Sequence, residues 1–191
     1  KELVLSGVNT DWLVQPVTTA FGQKHSLYFQ GGYSSFRYGL SMRYQTAPGV
    51  MKGSSRNRYS TDIDLSYNIG NKLLFRNTVT VTKTDSHESP YGSFSNYVRM
   101  NPYYPKTDSS GRIDQSLDNW TQHDSSGSVS YTPVLNPLYD ATLGSFNKSE
   151  YLQVVDALTA DWHITQSLRL RGLISVNQTR STGDNFVSPY A

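Results

Sequence analysis

The sequence predicts an all-β chain, an antiparallel up-and-down meander that forms part of a transmembrane barrel wall. Three observations carry this expectation: apolar and polar residues alternate in twos, connections are sorted by length, and composition excludes the main competing classes. Of 191 residues, 36% are hydrophobic, 17% charged and 13% aromatic. That is too aromatic and too weakly charged for a disordered chain. Lys and Arg total 17 against 15 Asp and Glu, a net charge of +2, too balanced for a nucleic-acid binder. The chain has no Cys, which excludes a disulfide framework, a thiolate metal site and a cysteine nucleophile. No apolar run approaches the roughly 18 residues of a membrane-spanning helix. The opening, Lys1-Glu2-Leu3-Val4-Leu5, has neither an initiator Met nor a signal-peptide apolar region, and reads as the start of an excised piece.

Two segments alternate strictly. Over 36–45, Phe36, Tyr38, Leu40, Met42 and Tyr44 oppose Arg37, Gly39, Ser41, Arg43 and Gln45. Over 58–69, Tyr59, Thr61, Ile63, Leu65, Tyr67 and Ile69 oppose Arg58, Ser60, Asp62, Asp64, Ser66 and Asn68. A strand turns such a pattern into one apolar and one polar face, whereas a helix scatters it. Four segments follow the rule less strictly: 24–31, 72–82, 152–164 and 167–178. Asn77, Leu74, Asp156 and Leu173 fall out of pattern. Six strands are therefore expected, with no long helix.

The connections alternate between short and long. Gly31-Gly32-Tyr33-Ser34, Gly70-Asn71 and Thr165-Gln166 read as tight hairpin turns. Residues 46–57, 84–150 and a tail from Ser181 are long. Short turns at one edge and long loops at the other suit an outer-membrane barrel, and a soluble sandwich has no reason to segregate them. Tyr44, Tyr59 and Trp162 would edge a lipid-facing band. Six strands cannot close a wide barrel, and open edges in lipid cost several kcal/mol per unpaired backbone group, so the chain should belong to a larger wall.

The polar faces carry Arg37, Arg43, Arg58, Arg76, Arg169 and Arg171, with Asp62, Asp64 and Asp161. Facing a lumen, they could guide a polar solute, or pair with one another across strands. The long segment 84–150 is the expected functional part, with Tyr91, Phe94, Tyr97, Tyr103, Tyr104, Trp120 and Tyr131 among amides and carboxylates. These rings either stack on solute or partner, or pack the loop against its neighbours. No metal-ligand spacing joins His25, His87, His123 and His163, and no nucleophile elbow or phosphate loop is present. Asp108-Ser109-Ser110-Gly111 lacks the alternating acids of a calcium loop. No enzyme activity, cofactor or metal is expected.

A series of short motifs resembles the barrel of the SusC/RagA family of TonB-dependent outer-membrane transporters. They begin with Asn9-Thr10-Asp11-Trp12 and Ala20-Phe21-Gly22-Gln23-Lys24-His25-Ser26-Leu27, followed by Gly31-Gly32 and Phe36-Arg37-Tyr38. Next come Pro48-Gly49-Val50-Met51-Lys52-Gly53-Ser54 and Arg58-Tyr59-Ser60. Ser89-Pro90-Tyr91-Gly92-Ser93-Phe94, Met100-Asn101-Pro102-Tyr103-Tyr104 and Asn136-Pro137-Leu138-Tyr139 complete the set. The resemblance implies a bacterial outer-membrane barrel of about 22 strands filled by an N-terminal plug, to which this chain adds roughly the second to seventh strands. It implies residues 1–22 as an extracellular segment leading into a partial barrel over 23–191. It also implies energy coupling to the TonB complex through a part that precedes this chain, and a SusD-like surface lipoprotein as lid. The cargo would be an oligosaccharide or peptide, and Arg58, Arg76 and the Asp62/Asp64 pair would hold the plug. The competing readings are a secreted β-sandwich that binds glycans through the same aromatics, and a passive porin.

Overall fold

The computed structural model describes residues 5, 7–70, 72–123 and 125–190. Residues 1–4 of the expected leading segment, Asn71 of the second expected turn and residue 191 lie outside the described residues. Eight strands form among those described: β1 (Gln23–Tyr33), β2 (Phe36–Pro48), β3 (Ser55–Ile69), β4 (Leu73–His87), β5 (Ser116–His123), β6 (Val129–Leu135), β7 (Phe146–His163) and β8 (Arg169–Phe186). A five-residue helix, α1 (Phe94–Val98), and a 3-10 turn at Asp140–Thr142 lie in the connection between β4 and β7. Six strands make one antiparallel sheet in the order β1-β2-β3-β4-β7-β8, and β5 pairs only with β6. The all-β meander is as expected, and the sheet stays open at β1 and β8. Among the described residues no helix is long and apolar enough to cross a membrane.

The strands overrun the limits that alternation suggests. β2 continues to Pro48 and β3 starts at Ser55, so the expected long connection 46–57 is a six-residue turn, 49–54. β4 continues to His87, β7 starts at Phe146 and β8 continues past Ser181 to Phe186, so the large connection is 88–145, not 84–150. It also contains α1 and the β5–β6 hairpin, two strands beyond the six that alternation predicts. The cause is that hydropathy reports what each face touches, whereas ladder hydrogen bonds run on where both faces are polar. Thus Asp85 pairs with Glu150 and Lys83 with Leu152, and Lys83 Nζ lies 3.1 Å from Glu150.

The first turn is also displaced from its expected place. Gly31 and Gly32 belong to β1, opposite Tyr38 and Arg37, and the reversal falls at Ser34-Ser35. The glycines serve close approach. A Cβ on Gly31 would stand 2.5 Å from the Tyr38 hydroxyl, so that ring lies across the bare backbone. At Gly32, φ is +150°, and a Cβ would meet the Phe36 carbonyl oxygen at 2.3 Å. The last turn spans 164–168, where the Thr165 hydroxyl accepts hydrogen bonds from the Ser167 and Leu168 amides.

Register turns the alternation into rows. One face carries, in successive rows, Ile69-Leu73-Trp162-Leu170, then Tyr33-Phe36-Tyr67-Phe75-Ala160, then Tyr38-Leu65-Asn77-Leu158-Ile174. Phe29-Leu40-Ile63-Val79-Asp156-Val176, Leu27-Met42-Thr61-Val81-Val154 and His25-Tyr44-Tyr59-Lys83-Leu152 follow. The Tyr44 and Tyr59 rings stack with centroids 5.0 Å apart. From Tyr59 to Ile69 is about 33 Å of strand, or roughly 25 Å once tilted as in a membrane barrel. That equals the height of an outward apolar band flanked by aromatic girdles. Tyr44 and Tyr59 therefore mark where the band stops, not where the strands end. Beyond them the same face carries Asp85, Glu150, Lys148 and Asp184.

This face is exposed, with Leu27, Phe29, Met42, Ile63, Leu65, Ile174 and Val176 all open. Within its middle, Asn77 donates to the Asp156 carboxylate at 2.5 Å, so the two breaks in the pattern satisfy one another. The buried hydrophobic side chains are elsewhere: Trp12, Tyr97 and Leu138 cluster among the long connections.

Candidate functional site

The opposite face of the sheet gathers the polar set. Arg37, Arg43, Arg58, Asp62, Asp64, Arg76, Asp161, Arg169 and Arg171 all lie on it, because each occupies the alternate phase of its strand. Three local groups form. Arg43 pairs with Asp62 across β2 and β3, and Thr80 donates to the same carboxylate at 3.0 Å. Thr78 donates to Asp64 at 2.8 Å. At the short-turn end Arg169 and Arg171 both engage Asp161, the latter at 2.8 Å, with His163 Nε2 at 3.7 Å. The acids on this face are thus held within the wall, and the pairing alternative accounts for Arg43, Arg169 and Arg171.

Nearer the long-loop end the face changes character. A groove of about 550 Å³ crosses from β2 to β7 and is lined by Gln45, Arg56, Arg58, Thr84, Tyr151 and Gln153, among others. Arg56 was not among the residues expected here. Its signal was present as Arg56-Asn57-Arg58, an alternation carried upstream of residue 58 once β3 is known to begin at Ser55.

The leading segment, the β2–β3 turn and the large connection assemble a second surface above this end. Residues 7–18, 49–54 and 88–104 are tied together by backbone bonds: Thr10 N–H to Pro102 O at 2.7 Å, Thr18 N–H to Val50 O at 2.9 Å and Lys52 N–H to Pro16 O at 2.8 Å. Gly53, at φ +78°, lets the 49–54 turn press against Pro90, whose Cδ would lie 2.8 Å from a Cβ there. Trp12 fills the centre and donates its indole N–H to Asn101 O at 3.0 Å. Ser93 caps α1 by accepting from the Ser95 amide, and the helix aims Tyr97 inward. The Tyr97 hydroxyl lies 2.7 Å from Pro137 O and 3.1 Å from Tyr91 O. Buried Asn136 accepts from the Leu138 amide and donates to Lys106 O.

These placements sort the aromatic candidates. Tyr97, expected as a contact for solute or partner, is 1% exposed, which corrects that expectation: it packs the loops together. Burial pushes its phenol well above the ordinary range. Tyr91 and Tyr104 pack partly buried on the same cluster. Burial first, and Asp118 beside it second, raise the Tyr104 phenol. Lys52 Nζ sits 5.7 Å over the Tyr91 ring. Phe94 and Tyr103 remain exposed, and Trp120 is 72% exposed. Trp120 pairs with Thr132 and Tyr131 with Thr121, so the two rings stand on opposite faces of the hairpin. Asp108 is spent locally: Ser110 and Arg112 amides both donate to one carboxylate oxygen at 2.8 Å. These backbone bonds, the Arg112 amide foremost, hold it below the usual carboxylate range. Among the described residues no group of metal-ligating side chains forms.

Comparison with known proteins places the fold. No family model matches the sequence, and no curated protein matches it. Among solved structures, the RagAB peptide transporter is similar over 93% of this chain, with a TM-score of 0.70 and 19% identity. The chain spans 20% of the length of that transporter chain. At that identity the likeness shows the fold: an all-β meander consistent with a fragment of barrel wall.

Proposed function

We propose that this chain is a wall segment of a SusC/RagA-type importer in a bacterial outer membrane, carrying oligosaccharides or peptides. The observation that carries the reading is the single sheet with an apolar band roughly 25 Å high on one face and polar residues on the other. Lipid covers the first face, and the second lines the lumen or meets an internal plug. The open edges at β1 and β8 would cost several kcal/mol per unpaired group in lipid, so neighbouring strands continue the wall. The braided loops stand outside the membrane. Their exposed Phe94, Tyr103 and Trp120 offer rings for solute or for a SusD-like lipoprotein lid. Coupling to TonB belongs to parts of the protein beyond these residues. The work is binding, gating and passage, without covalent chemistry.

The first experiment is the intact mass of the native polypeptide from detergent-extracted outer membranes, with its co-purifying chains identified. A mass several-fold above 21.4 kDa with a bound lipoprotein supports the reading. A soluble 21.4 kDa species overturns it in favour of a secreted glycan-binding module. Uptake that survives collapse of the proton-motive force identifies a passive porin instead.

The Asn77–Asp156 pair provides a test of lipid exposure. In a bilayer, Asn77→Leu leaves the Asp156 carboxylate without its donor and should destabilise the intact protein by about 1–3 kcal/mol. Asp156→Val removes the group altogether and should raise stability. Urea unfolding in lipid vesicles reads both, and equal, negligible effects would mean that water covers this face.

A further inference from the structure

We infer that the groove at the long-loop end of the polar face is a binding site for a carboxylate carried by the transported solute. The inference rests on the importer reading and names the chemistry of its cargo. Arg56 and Arg58 sit two residues apart on β3, both exposed and on the same face. Their guanidinium-bearing side chains leave the strand about 7 Å apart. The groove lining contains these two cations and no carboxylate. Among the described residues no acid forms an ion pair with either arginine, whereas Arg43, Arg112, Arg169 and Arg171 each have an aspartate. Asp62, on the same face of β3 four residues from Arg58, is already held by Arg43 and Thr80.

A neighbouring groove shares Gln45 and Arg58 and adds Lys24 and Arg43, so positive charge extends toward β1. The remaining lining is made of neutral groups able to hydrogen-bond, among them Gln45, Thr84, Tyr151 and Gln153. A guanidinium fork matches a carboxylate in plane and donates two parallel N–H hydrogen bonds to its oxygens, a geometry that an ammonium lacks. Two unspent forks in a groove of about 550 Å³ leave room for a residue-sized or sugar-sized unit around the carboxylate. A peptide terminus or acidic side chain and a uronic acid both present this group.

The test uses the full-length protein in its native membrane and in vesicles. The probes are a short peptide with a free C-terminal carboxylate, the same peptide amidated, a uronate oligosaccharide and a neutral oligosaccharide. The wild type should bind at least one acidic probe more tightly than its neutral counterpart; the peptide and uronate pairs identify the source of the carboxylate. In the Arg56→Gln/Arg58→Gln double variant the affinity for that probe should fall roughly tenfold or more, with the neutral counterpart unchanged. Arg56→Lys/Arg58→Lys should recover only part of the loss. Equal losses for acidic and neutral probes, or no loss, would overturn the site. So would unchanged binding accompanied by new leakage of small dyes, because the arginines would then be holding an internal domain. If the wild type takes up none of the four probes while a porin-sized dye passes freely, the importer reading itself fails; if it takes up acidic and neutral probes equally, only the carboxylate site does.

Discussion

Trp12→Ala is expected to loosen the whole loop assembly while leaving the six-stranded sheet intact. Trp12 is 2% exposed and shares its cluster with Tyr97 and Leu138. These three form the centre of the loop core, with Tyr91, Met100, Tyr104, Ile113 and Leu117 packed partly buried around them, so the loss of Trp12 is felt by every segment that meets there. Removing a buried Trp costs about 3–5 kcal/mol through lost transfer energy and the cavity left behind. It also leaves Asn101 O without the indole donor. Tyr97→Phe should show a smaller effect of the same sign, about 1–2 kcal/mol, because only the bonds to Pro137 O and Tyr91 O are lost. Hydrogen exchange on the intact protein reads the result. Residues 88–104 and 7–18 should lose protection in proportion, with 36–48 and 55–69 unchanged. Unchanged loop protection in Trp12→Ala would mean that the cluster is not what holds the loops.

Leu40→Arg and Ser41→Arg, neighbours in sequence, should have opposite fates. Leu40 lies in the central row of the apolar face, flanked by Phe29 and Ile63. Ser41 lies on the other face, opposite Asp62. At the bilayer midplane of a barrel an outward arginine costs about 2–4 kcal/mol, whereas lumen substitutions mainly tune selectivity. Leu40→Arg should therefore reduce the fraction that folds into vesicles and shift urea unfolding by that amount. Ser41→Arg should fold normally, its new charge close to Asp62. Should the two variants unfold alike, lipid does not cover the Leu40 face. An inverse result would reverse the assignment of the faces.

The six-stranded sheet was legible because its strands carry one apolar and one polar face. Where the two faces differ in polarity, side chains alternate, and Phe36 to Tyr44 or Tyr59 to Ile69 can be assigned from the pattern by itself. The polar set on Arg37, Arg43, Arg58, Asp62, Asp64, Arg76, Arg169 and Arg171 followed from the same phase. Legibility failed where neither face is consistently apolar: the outer ends of β4, β7 and β8, and the β5–β6 hairpin, whose Trp120 and Tyr131 point to opposite sides. It failed at Gly31-Gly32 for another reason. A glycine pair signals a turn by its own conformational freedom, yet here Gly31 makes room for the Tyr38 ring and Gly32 for the Phe36 carbonyl, both on the next strand.

Sequence alone determined the fold class and the two faces, because a period of two is a local property that survives without knowledge of neighbours. Only the tertiary structure decided what each polar or aromatic side chain does. Tyr97 and Phe94 are three residues apart in α1, yet one is buried against Trp12 from a distant segment and the other is open. Arg43 and Arg58 share a face, yet one meets Asp62 and the other meets no acid among the described residues. Such differences depend on register and on which loops cross, that is, on pairings between residues far apart in the chain, and those pairings are set by the packed backbone rather than by any local pattern.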